Sequence, residues 1–378
     1  MSNFLSNIEI RNFKSVKHLD LGCKRVNIFI GKPNVGKSNI LEALSLLAPH
    51  YMSAPSRDNR FMAEMVRYEE LSNWFYDDDV SKEIWIGSDK VAAQIRYEAT
   101  FDNLNFMLAR PDILKSFSSN SFRNIQESQQ AFDKATTNWL NEPDYYAQPV
   151  FANANASGYN ISNIQTEHYN PIKPFRFSEP VSSNNKFRRF LIPPFGHNLF
   201  GVVDAHKTLR QEIAEMFEDY DFEFVLSRKE GKFELQKKLD GIVYKYPYAG
   251  VADTFKRLIF YLAAIESNQD SVLILEEPEV HAFPPYTKQL ADRIALCIEN
   301  QFFLTTHSPY LLDTLIENLS DDDIAVFLVY FEDYQTKVSP MSSADLREVQ
   351  DFSMDVFFNL DKFTHNGTIA HSESQVHP

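Results

Sequence analysis

The chain has 378 residues, of which 44% are hydrophobic, 24% charged and 14% aromatic, a composition that excludes collagen-like, disordered and disulfide-scaffold proteins. Lys plus Arg number 37 and Asp plus Glu 52, giving a formal net charge of −15. Such a chain is not coated with nucleic-acid-binding charge, although a local basic patch stays compatible with it. Its length predicts two to three compact units at roughly 150 residues each. The two cysteines, Cys23 and Cys297, cannot frame a fold and are expected as reduced thiols in a cytoplasmic protein. The N-terminus lacks the pattern of a signal peptide. The longest apolar run, Leu258 to Ile265, falls far short of the ~18 residues of a membrane helix, so no membrane partner is expected.

In chain order, Ile8 to Asn12 reads as a short alternating strand and Val26 to Ile30 as a strand buried on both faces. A loop, Gly31 to Gly36, follows at once. A helix from Ser38 to Leu47 comes next and ends at Pro49. Between about 50 and 170 the pattern changes. An acidic stretch, Trp74 to Asp79, precedes a strand pair, Val91 to Thr100 and Leu104 to Arg110. A Gln- and Ser-rich helical part lies around Asn124 to Leu140, and Ala152 to Asn170 reads as loop. Further on, the sequence predicts a helix over Ala205–Asp219 and a strand pair at Phe222–Leu226 and Lys232–Lys237, with Gly231 in the turn. Helix Thr254–Ser267, strand Val272–Leu275, helix Pro285–Glu299, strand Phe302–Leu304, helix Tyr310–Glu317 and strand Ala325–Tyr330 follow. The tail Thr364–Pro378 is expected to be disordered. Strands alternating with helices at both ends argue for a parallel α/β sheet. Residues 1–50 and 190–340 are expected to form one discontinuous head, 51–189 an inserted, largely helical lobe, and 341–378 a C-terminal extension.

Three motifs carry the chemistry. Gly31-Lys32-Pro33-Asn34-Val35-Gly36-Lys37-Ser38 fits G-x-x-x-x-G-K-[ST] and lies between an apolar strand and a helix. The glycines let the backbone N–H groups turn toward phosphate oxygens, and the helix N-terminus adds partial positive charge. Lys37 brings a full charge to the β and γ phosphates, and the Ser38 hydroxyl suits Mg²⁺. Leu273-Ile274-Leu275-Glu276-Glu277-Pro278-Glu279 ends a buried strand. There Glu276 is assigned to the metal and Glu277 to the attacking water. Leu304-Thr305-Thr306-His307-Ser308-Pro309 follows another apolar strand and places His307 to sense the γ-phosphate.

In this order the three motifs resemble the ABC-type ATPase head. The opening Ile8 to Ser15, the loop Gly31 to Asn39 and the Glu-Glu-Pro-Glu strand resemble its RecF/SMC/OLD-like branch, the bacterial "AAA family ATPases", many of which are linked to DNA repair or phage defence. The resemblance spans about residues 1–50 and 190–330. It implies a P-loop NTPase head with a mostly parallel sheet plus antiparallel strands, and ATP with Mg²⁺ as cofactors. It also implies a nucleotide site of Gly31, Asn34, Gly36, Lys37, Ser38 and Asn39, with catalysis by Glu277 and His307. Two departures stand out. Walker B ends in Glu276-Glu277 instead of Asp-Glu. The signature-like loop, Val251 to Arg257, has Ala252 at the serine position and Thr254 at the glycine position, leaving Asp253 and Arg257 as contacts to a partner subunit. No glutamine loop is placed with Gln94, which falls in a strand. His281 reads as a loop or helix-start residue, and no zinc pattern occurs.

Lys173, Arg176, Lys186, Arg188 and Arg189 form a local basic region interleaved with Phe175, Phe177, Phe187 and Phe190. Such a cluster can contact nucleic-acid phosphates and stack bases, but solvated lysines and packed phenylalanines are the commoner outcome. Asp321-Asp322-Asp323 reads as an exposed turn. The stretch after His307 is too short for the TOPRIM nuclease domain of OLD proteins, so a nuclease partner is expected on a separate chain. The absence of heptads argues against SMC-type coiled coils. Two functions compete. One is an ATP hydrolase whose two heads close on ATP, as a homodimer or higher oligomer acting on DNA. The other is a slow, ATP-gated scaffold or sensor that holds an effector protein. A P-loop kinase or GTPase fits less well, because Glu276 lies far from Lys37 and no Asn-Lys-x-Asp motif is present.

Overall fold

A computed structural model describes residues 2–51, 65–100, 102–117, 125–136, 149–155, 158–162, 170–179, 189–351 and 355–364. Strands β1 (Asn7–Phe13), β2 (Val16–Gly22) and β3 (Val26–Ile30) lead to helix α1 (Lys37–Ser45). Strands β4 (Ile84–Ser88), β5 (Ala92–Glu98) and β6 (Asn103–Ala109) precede helices α2 (Pro111–Phe117) and α3 (Ile125–Thr136). Next come β7 (Val150–Asn155), β8 (Gly158–Ser162), β9 (Ile172–Phe175) and helices α4 (Leu199–Ala205) and α5 (Lys207–Glu218). Strands β10 (Glu223–Ser227), β11 (Lys232–Leu239) and β12 (Ile242–Pro247) precede helix α6 (Asp253–Ser267), β13 (Val272–Glu276) and α7 (Pro284–Leu296). The chain ends with β14 (Gln301–Thr305), α8 (Pro309–Asn318), β15 (Ile324–Glu332), β16 (Gln335–Pro340), α9 (Ser343–Asp351) and α10 (Leu360–Thr364).

The central sheet runs β16-β15-β3-β14-β13-β9, with every pairing parallel except the edge hairpin β15–β16. Side chains alternate across its strands. Val26, Ile28 and Ile30 of β3 join Leu273, Leu275, Phe302 and Leu304 in a core covered by α6, α7 and α8. Phe29, Ile274, Phe303 and Phe327 face the opposite core, shared with α1 and the antiparallel sheet β2-β1-β4-β5-β6-β7-β8. Phe29 and Phe327 stack there at 5.1 Å between ring centroids. This burial on both faces explains the continuous apolar runs of β3, β13 and β14. Four parallel strands, β3, β13, β14 and β15, thus point their C-terminal ends the same way, and the three sequence motifs leave β3, β13 and β14 at that edge.

Strands from within 51–189 join both sheets, because β4 pairs with β1 and β9 with β13. The lobe was expected to be largely helical, but its described residues carry six strands, β4 to β9, and two α-helices, α2 and α3. The reason lies in the stretch read as loop after Ala152. Its β7–β8 hairpin, Val-Phe-Ala-Asn-Ala-Asn and Gly-Tyr-Asn-Ile-Ser, is rich in Ala and Asn and carries little hydrophobic contrast, and pairing with β6 decides its state. The helix expected over Ala205–Asp219 is instead two helices, α4 and α5, separated at His206, whose backbone is extended (φ −94°, ψ 99°). The strand pair near Gly231 gains a third member, β12. The tail beyond Thr364 lies outside the described residues.

Candidate active site

The Gly31–Lys37 loop joins β3 to α1 in backbone conformations that suit its glycines. Gly36 has φ +99°, and a Cβ there would lie 2.0 Å from Thr336 Oγ1. At Gly31 a Cβ would lie 2.1 Å from the Val329 carbonyl oxygen. Neither position admits another residue without displacing strands β15 or β16. Asn34, at φ +61°, occupies the left-handed region that Asn tolerates. No side chain caps α1, so the N–H groups of its first turn are left to face phosphate oxygens.

Buttressing comes from parts of the chain distant in sequence. Thr336 Oγ1 donates to the Val35 carbonyl at 2.8 Å, and its backbone N–H donates to the Ser15 carbonyl at 2.8 Å. Asn39 Nδ2 donates to Ser15 Oγ at 2.7 Å, and that hydroxyl lies 2.6 Å from Thr336 Oγ1. Asn39 thus ties α1 to the β1–β2 turn. Lys37 is buried, and its ammonium donates to the carbonyls of Gly31 and Lys32, both at 2.8 Å. Burial drives the Lys37 pKa down to about 8, against the opposing pull of the Glu277 carboxylate.

Glu277 follows β13 with a left-handed backbone (φ +44°), a strained conformation for glutamate. Its N–H is held by Thr305 through the carbonyl and the hydroxyl, each at 3.2 Å. Its carboxylate reaches His307 Nε2 at 3.3 Å. Burial and the charge of Lys37 lower the His307 pKa, and Glu277 opposes them, so near neutral pH the imidazole is uncharged. Lys37, Glu277 and His307, from three separate motifs, therefore act electrostatically on one another.

Glu276 points elsewhere. It pairs with Arg67 at 3.0 Å and Arg176 at 3.4 Å. Arg67 also pairs with Glu42 of α1 at 2.6 Å, and Lys14 forms a further ion pair with Glu42. Ser38 and Glu276 are hydroxyl and carboxylate oxygen donors, a set that suits Mg²⁺ held jointly with nucleotide phosphates. The described residues contain no cluster of three or more His, Cys, Asp or Glu side chains that would bind a metal without phosphates. Glu279 is buried beneath the His307 loop. It accepts from Thr306 Oγ1 at 2.5 Å and from the His307 N–H at 3.0 Å, and burial raises its pKa. Glu42, Arg67 and Thr336 stand in no recognisable spacing, and Glu279, Ser15 and Arg176, although inside the stretches named above, were given no role at the site. The third acid of Glu-Glu-Pro-Glu was the one available signal.

The signature-like segment, expected as a loop, is mostly the first turn of α6, which starts at Asp253, and there Asp253 pairs with Arg257 at 3.4 Å and with His281 at 3.5 Å. Thr254 donates to the His281 carbonyl at 2.6 Å, and the Arg257 guanidinium lies 4.7 Å from the Phe177 ring centroid. Ala252 serves as the helix N-cap without a side-chain bond. Gln94 is fully buried in the antiparallel sheet, donating to Glu83 at 2.8 Å, away from the site. Of the basic region, Lys173 is buried and Arg176 joins the Glu276 cluster, so neither belongs to an open basic face. Phe175 and Phe190 are buried. Lys186, Phe187 and Arg188 lie outside the described residues.

Comparison with known proteins decides the family. Residues 26–313 match the family described as "AAA domain, putative AbiEii toxin, Type IV TA system". The chain belongs to this family. It carries an AAA-type ATPase domain. An "ATP/GTP phosphatase" of Helicobacter pylori is 23% identical over 346 residues, 85% of this chain and 90% of that protein. The RecF DNA replication and repair protein of Lactobacillus acidophilus is 29% identical over 124 residues, 30% of this chain and 32% of its own length. Among solved structures, an SMC head bound to the C-winged helix domain of ScpA is 15% identical. Its TM-score is 0.47, over 90% of this chain and 99% of that one. No helix among the described residues is long and apolar enough to cross a membrane.

Proposed function

We propose that this ATPase head binds ATP with Mg²⁺ at Gly31–Asn39 and hydrolyses it with Glu277 as general base and His307 as the group that contacts the γ-phosphate. The observation that carries this reading is the convergence of Lys37, Glu277 and His307, with Glu277 and His307 3.3 Å apart. Glu277 takes the proton of the attacking water, and Lys37 and the loop N–H groups bind the phosphate oxygens. Bound Mg²⁺ neutralises charge on the β and γ phosphates. Ser38 and Glu276 are its protein ligands, Glu276 once Arg67 and Arg176 release it. His307 donates one hydrogen bond through its N–H to a γ-phosphate oxygen, and Glu279 fixes the loop that carries it. The test is Glu277→Gln. ATP turnover should fall at least ~100-fold while ATP binding is kept. Turnover equal to the unmodified protein removes Glu277 from the role of base.

A second reading is supported by two observations. The signature-like loop lacks a serine and a glycine, and Asp253 and Arg257 bind within their own chain. These fit an ATP-gated scaffold that turns over slowly and controls a separate effector protein. Steady-state turnover with and without duplex DNA separates the two readings. Fast, DNA-stimulated hydrolysis supports a DNA-directed ATPase acting as a cytoplasmic homodimer in DNA repair or phage defence. Negligible turnover with retained ATP binding supports the scaffold.

A further inference from the structure

A cavity of about 300 Å³ opens at the far end of the parallel sheet, beside the first residues of β9 and β13. Register fixes its place. Lys173 pairs with Leu273, three residues before Glu276, and a parallel strand rises about 3.3 Å per residue. The cavity therefore lies at the N-terminal strand ends, whereas the P-loop, Glu276 and His307 follow the C-terminal ends. Its walls include Lys173, Arg189, Phe190, His206, Glu266 and Asp270.

The wall carries two cations, Lys173 and Arg189, and two carboxylates, Glu266 and Asp270, but neither carboxylate reaches the buried ammonium of Lys173. Lys173 is only 5% exposed. Its ammonium makes one hydrogen bond, 2.6 Å to the neutral Asn268 Oδ1, and lies 4.0 Å from the Phe190 ring centroid. Among the described residues, no carboxylate lies within ion-pair distance of it. The charge that does act on it is Arg189, of the same sign, and with burial this brings the Lys173 pKa down to about 7. The two nearby acids are engaged elsewhere. Asp270 accepts from the Asn3 backbone at 2.8 Å and from Asn3 Nδ2 at 3.0 Å, and Glu266 pairs with Arg293. A buried ammonium near a second cation, with no carboxylate among the described residues in ion-pair reach, is costly for a purely structural residue. It is the arrangement expected of a pocket whose anion arrives from solution.

We propose that this cavity binds a small phosphate-bearing anion, held between Lys173 and Arg189 with Phe190 as its apolar wall. Two cations, one able to form a fork of N–H donors, suit the two negative charges of a phosphate better than the single charge of a carboxylate. The site is separate from the nucleotide loop, so it can be tested with that loop disabled.

The experiment is calorimetric titration of the Lys37→Ala protein with inorganic phosphate at constant ionic strength, with chloride as the control. The expected result is saturable one-to-one binding with a Kd below ~1 mM. Adding Arg189→Ala, at an exposed position, should weaken it at least ~10-fold, as should adding Lys173→Met. Lys173→Met should also melt no lower than its parent without phosphate, because an uncompensated buried charge has been removed. Absence of saturable binding to the Lys37→Ala protein overturns the proposal. So does unchanged affinity in both double variants, or a lowered melting temperature in Lys173→Met with phosphate binding intact. Phenyl phosphate names the source. Tighter binding than inorganic phosphate points to a phosphate monoester with an apolar body, and equal binding points to free phosphate.

Discussion

Two loops of this molecule lead into helices, Gly31–Asn39 into α1 and Val251–Arg257 into α6, and they treat their polar groups in opposite ways. In the first, side chains from Ser15 and Thr336 hold the backbone, the glycines are hemmed in by β15 and β16, and the N–H groups of the helix start remain uncapped. The scaffold is complete within one chain and the binding groups face outward. In the second, Asp253, Thr254 and Arg257 are bonded to His281 and Phe177 of the same chain. The difference teaches that the loop proposed to bind nucleotide is preorganised in the single head, whereas any contribution of the α6 segment to a partner's site requires these internal contacts to be exchanged.

The largest effect should come from the first loop. Lys37→Ala is expected to weaken ATP binding by more than ~100-fold, because it removes the only full charge in the loop aimed at the β and γ phosphates. Equilibrium binding of a fluorescent ATP analogue measures this, and near-unmodified affinity would place the nucleotide elsewhere.

Next in size is the Glu276 cluster. With Arg67→Ala and Arg176→Ala combined, the Mg²⁺ concentration giving half-maximal nucleotide binding should fall about 10-fold, because two guanidinium groups no longer compete for the carboxylate. Mn²⁺ binding followed by electron paramagnetic resonance gives the same comparison without turnover. An unchanged metal requirement would mean that the arginines do not compete.

A pH effect of similar or smaller size follows from Lys37. Its folded-state pKa of about 8 lies below that of a free lysine, so in the empty site its charge is complete only below pH 8 and is lost as pH rises through 8. Bound phosphates favour the charged form. ATP binding should therefore take up a proton between about pH 8 and pH 10 and weaken by up to ~10-fold per pH unit there. Calorimetry in buffers of different ionisation enthalpy reads the proton directly, and proton release would contradict the assignment.

The smallest effect belongs to the second loop. Asp253→Ala should change ATP affinity of the single head by less than ~2-fold, since its ion pairs are partly exposed and reach only Arg257 and His281. A large loss would show that the α6 loop supports the nucleotide site in the same chain, and the contrast between the loops would fail.

Reading the sequence placed β3, α1, β13, β14 and α8 within a residue or two, because each is a buried strand or helix whose own hydrophobic pattern and flanking Gly or Pro define it. The same local completeness made Lys37, Glu277 and His307 legible, since each lies in a short motif at a strand end. The β7–β8 hairpin and β9 were missed for the converse reason. Their state is set by neighbours, β6 in one case and β13 in the other, and not by their own contrast.

From its sequence alone this chain declared an α/β P-loop ATPase fold and the loop proposed to bind phosphate, because phosphate recognition uses contiguous backbone N–H groups and one adjacent lysine. Only the tertiary structure decided that Arg67 and Arg176 hold Glu276, that Thr336 and Ser15 brace the loop, that Glu279 carries the His307 turn, and that Lys173 lies near Arg189 with no carboxylate among the described residues in ion-pair reach. Ion pairs and buttresses join residues more than 300 positions apart, as Ser15 and Thr336 are at 321. Chain folding brings such pairs together, and no spacing rule along the chain encodes them.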